Sequence, residues 1–187
     1  MPNEEYAIVL DYLPTGKSSS FKPEPMAQVI GTEHFTLLEV TPTSALKVLE
    51  KVYIGKEKRD KIQFIKRRVS FDELTNTAIS EIEKAIEMIV KENSAKFLDF
   101  FNKSGSVSLR MHQLELLPGL GKKHLFEMLK EREIKPFESF EELSKRVHLM
   151  PNPAKLVAKR ILVELEDPKL KYYLFARPPA REERQFR

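Results

Sequence analysis

The chain contains no cysteine. Disulfides are therefore impossible and a thiolate zinc site is excluded, which fits a cytoplasmic setting. No stretch approaches the roughly 18 apolar residues that a membrane helix needs. The opening run MPNEEYAIVLDYLP lacks the basic-then-apolar order of a signal peptide, so no membrane association is expected. Catalytic signatures are missing too. The histidines His34, His112, His124 and His148 have no metal-ligating partner at i+3 or i+4. No nucleophile motif occurs, and no acid pair sits in an apolar context. Gly16-Lys17-Ser18 would close a phosphate-binding P-loop, but the glycine required five residues earlier is Asp11, and no helical pattern follows. The expectation is a protein that is not an enzyme and holds no metal or cofactor.

What is present is charge and enough apolar material for a core. The 187 residues allow one or two compact domains, and 41% of them are hydrophobic. Charged residues make up 32%, above the roughly 25% of ordinary globular chains. The formal net charge is only +4, which suits a polyanionic partner without demanding one. Its distribution is more telling. Residues 44–68 carry 9 basic against 3 acidic side chains, and residues 106–165 carry 11 against 8. Between these basic zones, residues 69–105 are net acidic.

The hydrophobic period divides the chain. Strand-like runs occupy 5–13, 26–31, 34–41, 47–54 and 61–69, with a Pro/Ser/Lys loop at 14–25. Five short strands in this space predict a small antiparallel β-barrel over residues 1–69. At Ser70 the period changes. Ser70 and Glu73 form an S-x-x-E capping box, and Leu74, Ala78, Ile82, Ala85, Ile86 and Ile89 follow at helical spacing. Residues 70–105 are expected to be a helical connector, with a second helix near 94–102. Residues 106–166 read as helical throughout, with two breaks at proline-containing turns and a second capping box at Ser139/Glu142. A C-terminal extension, 167–187, ends in RPPAREERQFR and is expected to be disordered at its end. The fold class is α+β.

The decisive motif is Leu117-Pro118-Gly119-Leu120-Gly121-Lys122-Lys123. Gly119 can take a positive φ, Gly121 lets backbone approach a ligand, and Leu120 is expected to anchor the turn. The helix that starts at about Lys122 presents free N–H groups and a positive dipole end, where a phosphate binds readily. Lys122 and Lys123 add charge there. This pattern resembles the helix-hairpin-helix motif of DNA-repair, recombination and ribosomal proteins. An ordinary αα-hairpin with a glycine turn is the alternative. Adding 33 to each position finds a degenerate copy, in which Asn152 replaces Gly119 and Ala154 replaces Gly121. Lys155, Lys159 and Arg160 follow on its helix. The reading is therefore a paired, tandem helix-hairpin-helix domain.

The whole chain, including LPGLGKKHLFEMLKERE and FARPPAR, is also similar to an archaeal domain-of-unknown-function family described as RNA-binding. That resemblance implies an OB-like N-terminal barrel joined to a helix-hairpin-helix region. It also implies RNA over DNA, and ribosomal or rRNA-processing partners, because family members neighbour genes for a ribosomal RNA dimethyltransferase and a ribosomal protein.

A second basic surface is expected on the last barrel hairpin, through Lys66, Arg67 and Arg68, with Tyr53 and Phe64 as candidate stacking residues. Taken together, the expected function is non-catalytic binding of structured RNA in translation or ribosome biogenesis. The alternatives are an accessory factor for duplex or branched DNA in repair, and a protein-interaction adaptor using the helical domain.

Overall fold

The computed structural model describes residues 4–17 and 23–176. Ser18 and the tail from residue 177, where disorder was expected, lie outside them. The chain is mixed α+β and divides into two compact units. One comprises Met1–Ile82 with Glu164–Arg187, the other Glu83–Val163.

The first unit is built on strands β1 (Tyr6–Leu13), β2 (Met26–Gly31), β3 (Leu37–Pro42), β4 (Lys51–Tyr53) and β5 (Ile62–Arg68). They form one antiparallel sheet in the order β4-β1-β2-β3-β5. The strands fall where the period-2 runs predicted, except that β4 shrinks to three residues. The expected small antiparallel barrel is realised in part: β4 and β5 are the two edges and do not pair, so the sheet is a curled half-barrel. Its inner face gathers Ala7, Val9, Ala27, Val29, Leu38, Val40, Val52 and Ile62. β2 and β3 are buried on both faces, which explains their nearly continuous apolar runs.

The opposite face carries a polar row set by strand register. Asp11 pairs with Gln28, Gln28 with Glu39, and Glu39 with Arg67. A buried carboxylate is costly unless paired. Glu39 accepts from Lys17 Nζ at 2.6 Å and Arg67 Nε at 2.8 Å. Burial pushes its carboxyl up, but these two cations outweigh that and hold it below the ordinary value. The segment after β5 closes over the row. Gln28 Nε2 donates to the Glu73 carbonyl at 3.1 Å and Gln28 Oε1 accepts from Thr75 N at 2.8 Å.

This docking changes the helix start. The Ser70/Glu73 capping box forms, but it caps only a short 3-10 helix, Phe71–Glu73. The long helix α1 begins at Asn76 and runs to Glu92. Thr75 caps it by accepting from Ala78 N at 3.1 Å while donating to Asp11 at 2.6 Å.

Two carboxylates latch the ends of this unit. Glu4 accepts from the backbone N–H groups of Glu33, His34 and Thr36. Glu164 accepts from those of Leu174, Phe175 and Ala176, at 2.7–3.0 Å.

The second unit holds α2 (Ser94–Lys103), β6 (Ser106–Ser108), β7 (Met111–His112), a 3-10 helix (Gln113–Leu116), α3 (Lys122–Ile134), α4 (Phe140–Arg146) and α5 (Pro153–Glu166). α5, like α1, extends across the division between units. The all-helical expectation over 106–166 is corrected at its start. Ser106-Val107-Ser108 alternates at period 2 and pairs with β7 in a small hairpin. Ser139 caps α4, accepting from Glu142 N at 3.0 Å, whereas Glu142 turns to Glu138 N rather than completing the box.

Candidate nucleic-acid interface

The motif at 117–123 makes a tight turn into α3. Gly119 has φ +92, so the glycine is conformationally required. A Cβ there would also lie 3.6 Å from Leu156 of α5. Leu117, 1% exposed, is the anchor, while Leu120 is only half-buried. The element before the turn is not the amphipathic helix expected of a two-helix hairpin but the four residues Gln113–Leu116. His112 caps them: its Nδ1 accepts from Leu114 N at 3.1 Å and its own N–H donates to Glu115 at 2.8 Å. Burial, with help from the nearby Arg132 charge, lowers the His112 pKa. That favours the neutral ring, the form whose Nδ1 can accept.

Gly121 is the N-cap of α3, with φ −77 and ψ 162, and provides no side-chain cap. The helix therefore starts with open N–H groups. Lys122 and Lys123 are exposed beside it, and among the described residues neither meets a carboxylate.

The second turn has a different alignment from the one the 33-residue offset predicts. Its positive φ falls on Leu149 (φ 54), 30 residues after Gly119, rather than on Asn152. Asn152 instead precedes α5 and caps it, its Oδ1 accepting from Lys155 N at 3.2 Å. Ala154 is buried inside the helix. The two helix starts thus differ: α5 is capped by its own side chain, α3 is open. Lys155 and Lys159 are exposed one turn apart on α5. Arg160 is not at the surface. It is 6% exposed and donates to the Leu116 carbonyl at 3.2 Å, bracing the chain just before the first turn. His148 N donates to Glu127 of α3 at 2.9 Å. Arg146 holds the other end of α3, with Nε 3.1 Å from Glu131 and Nη2 2.8 Å from the Lys135 carbonyl.

The expected basic residues of β5 belong to the first unit and serve different ends. Lys66 is exposed. Arg67 is engaged by Glu39 and by Glu73, the latter at 2.6 Å. Arg68 is partly buried, which lowers its pKa, and lines a cavity of about 260 Å³ with Phe35, Phe71 and Leu165. Lys61 pairs with Glu50, and Arg59 Nε donates to the Gly55 carbonyl at 2.8 Å. Lys56, Lys58 and Lys66 are the exposed lysines of this hairpin that meet no carboxylate among the described residues, and they alternate with exposed Glu57 and Asp60. Of the candidate stacking residues, Phe64 is 44% exposed, whereas Tyr53 is half-buried and edge-packed on Tyr6 at 5.3 Å.

The sequence reading missed Phe126, which stands 67% exposed on α3 while its neighbours Leu125 and Met128 are buried. The signal was available: Leu125, Phe126, Met128 and Leu129 are too many apolar residues for one helix face. Among the described residues no group of His, Asp and Glu could hold a metal ion. No described helix is long and apolar enough to cross a membrane.

Residues 3–177 match the family described as "Protein of unknown function (DUF655)". The uncharacterized protein MJ0038 of Methanocaldococcus jannaschii is 43% identical over 178 residues, covering 93% of this chain and 80% of that protein. The crystal structure of Af1531 from Archaeoglobus fulgidus, itself assigned to DUF655, is 45% identical and has a TM-score of 0.87. That match covers 93% of this chain and all of that one. The chain belongs to the DUF655 family.

Proposed function

We propose that this DUF655 chain is a non-catalytic nucleic-acid-binding protein that grips a backbone phosphate at the N-terminus of α3, with structured RNA as its ligand. The half-barrel is read as OB-like, and residues 113–166 as a shortened helix-hairpin-helix followed by a degenerate second one. The observation that carries this is the contrast between the helix starts. α5 is closed by the Asn152 side chain, while α3 begins at a glycine with no cap and two unpaired lysines. Open N–H groups, dipole and lysines together attract a phosphate. The contact is to backbone and reads no sequence. Lys155, Lys159 and Lys66 add diffuse positive charge. Arg160 and Arg67 contribute by holding the fold. Ribosomal or rRNA-processing components, in the cytoplasm, are the setting in which such a binder would act.

The test is a titration of a structured RNA and of duplex DNA across a range of salt. Binding that weakens with salt is expected, with RNA preferred, and Lys122→Ala should lower the salt slope by about 1. Salt-independent or absent binding to both would refute the proposal, and a DNA preference would move it to repair. A second reading, a protein-interaction adaptor, draws on Leu109 in the β6–β7 turn and Leu149 in the turn before α5, which stand 106% and 79% exposed.

A further inference from the structure

Building on that phosphate grip, we infer that α3 also carries a stacking platform for an unpaired base, with the Phe126 ring as the platform and Lys122, Lys123 and Lys130 as its charged frame. Single exposed apolar side chains are common and need no explanation. This one differs in its surroundings. On a helix the residues three and four positions away are surface neighbours. For Phe126 they include Lys122 at i−4, Lys123 at i−3 and Lys130 at i+4, all exposed. None of these lysines meets a carboxylate among the described residues. The core has no use for the ring, since Leu125 and Met128 already fill the buried face.

Direction and distance connect the ring to the grip. Helical side chains lean toward the helix N-terminus. The ring therefore lies over the turn of Lys122 and Lys123, toward the open end at Gly121. Five residues separate Gly121 from Phe126, about 7.5 Å along the axis. That span is within reach of a nucleotide adjoining the bound phosphate. A strand whose phosphate sits at the helix start can place a base on the ring.

The chemistry selects the ligand. An acidic peptide would satisfy the lysines and leave the ring exposed. An apolar partner would cover the ring and desolvate three cations. A nucleic acid with an unpaired base uses both, because every base has a π face and every linkage a charge. A fully paired duplex keeps its base faces stacked internally and cannot reach the ring. The ligand class is thus a helix interrupted by a bulge, junction or frayed end.

The experiment uses the full chain and two short RNA hairpins closed by the same self-stacked tetraloop, identical except that one carries a bulged fluorescent adenine analogue. Phe126→Ala removes an exposed ring in favour of a better helix former, so it should fold. It should bind the bulged hairpin about tenfold more weakly, lose the fluorescence change of the bulged base, and bind the uninterrupted hairpin as the parent does. Phe126→Tyr should restore stacking, and Phe126→Leu should not. The platform is overturned if Phe126→Ala leaves affinity and fluorescence on the bulged hairpin unchanged while Lys122→Ala still weakens both hairpins. If the parent binds neither RNA, the grip fails and the platform with it. If Phe126→Ala alters only self-association by sedimentation, the ring is a protein contact and the inference is wrong.

Discussion

Replacing Gly121 by Asp sets folding and binding in opposition, which makes it the sharpest test of the phosphate grip. The position already has N-cap backbone geometry, φ −77 and ψ 162, which any L-residue adopts. A Cβ there would meet only His124 Nδ1, at 3.8 Å. Ser139 shows the same device at α4, with its side chain accepting from Glu142 N at 3.0 Å. An aspartate cap is worth a few tenths of a kcal/mol over glycine, and its charge at the positive dipole end adds about 0.3–1 kcal/mol. The variant should therefore be about 1 kcal/mol more stable, as read by urea unfolding followed by circular dichroism.

Binding should move the other way. The cap consumes an N–H that the phosphate would use, and it places a negative charge where the phosphate sits. Two like charges about 4 Å apart repel by about 1 kcal/mol in bulk water and about 4 kcal/mol near a protein surface. At 1.4 kcal/mol per tenfold, a loss of tenfold or more is expected by fluorescence anisotropy on structured RNA. The loss should shrink at high salt, where the surface charges are screened. A variant that is more stable yet binds as tightly as the parent would show that no phosphate occupies this helix end.

Leu149→Gly should raise stability by about 1 kcal/mol in urea unfolding, because a non-glycine residue in the left-handed region costs about 1–2 kcal/mol and Leu149 has φ 54. Arg146→Ala should cost about 2 kcal/mol in the same assay, since its charged hydrogen bonds to Glu131, Glu142 and the Lys135 carbonyl close the end of α3. On β5, Lys66→Ala should lower the salt slope of binding with stability nearly unchanged. Arg67→Ala should cost about 2 kcal/mol of stability by leaving buried Glu39 with Lys17 alone and removing the pair to Glu73. The Glu73 carboxyl is lowered to about 2, chiefly by the Ser70 backbone N–H and then by Arg67. Its contribution is complete above its ordinary value of 4.5 and lost as pH falls toward 2. Glu73→Gln should flatten the fall in Tm over that acid range.

Local pattern carried much of this architecture. β2 falls at the residues its apolar run marks, α5 ends before Asp167-Pro168, and Gly119 takes the positive φ its turn demands. What escaped the sequence depends on partners distant along the chain. Ser70 looks like the start of a long helix, but Thr75 is held by Asp11 and Gln28, so α1 starts later. Asp11, Gln28 and Glu39 look like interruptions in apolar strands until register aligns them. Arg67 and Arg160 read as ligand-facing cations, yet each is recruited by an acceptor inside the fold, Glu39 and the Leu116 carbonyl. The second turn misled for a different reason: Leu149 adopts a backbone conformation that sequence reasoning reserves for glycine or asparagine. Fold-level order was therefore legible, while the division of basic residues between bracing and display was not.

The polar row of the sheet has a consequence for how the strands find their alignment. Sliding β3 by two residues against β2 would keep every side chain on its own face, and apolar contacts alone would discriminate weakly against it. Glu39 would then lie opposite Ile30 or Met26 instead of Gln28. Gln28 would lose Glu39 across the strand pair, and a β5 that moved with β3 would carry Glu73 and Thr75 away from Gln28, leaving buried polar groups unpaired at about 1–3 kcal/mol each. The row thus acts as a key for strand pairing: a sheet whose β2 and β3 are buried on both sides, and so could zip in more than one frame, tolerates only the frame in which Asp11, Gln28, Glu39 and Arg67 meet.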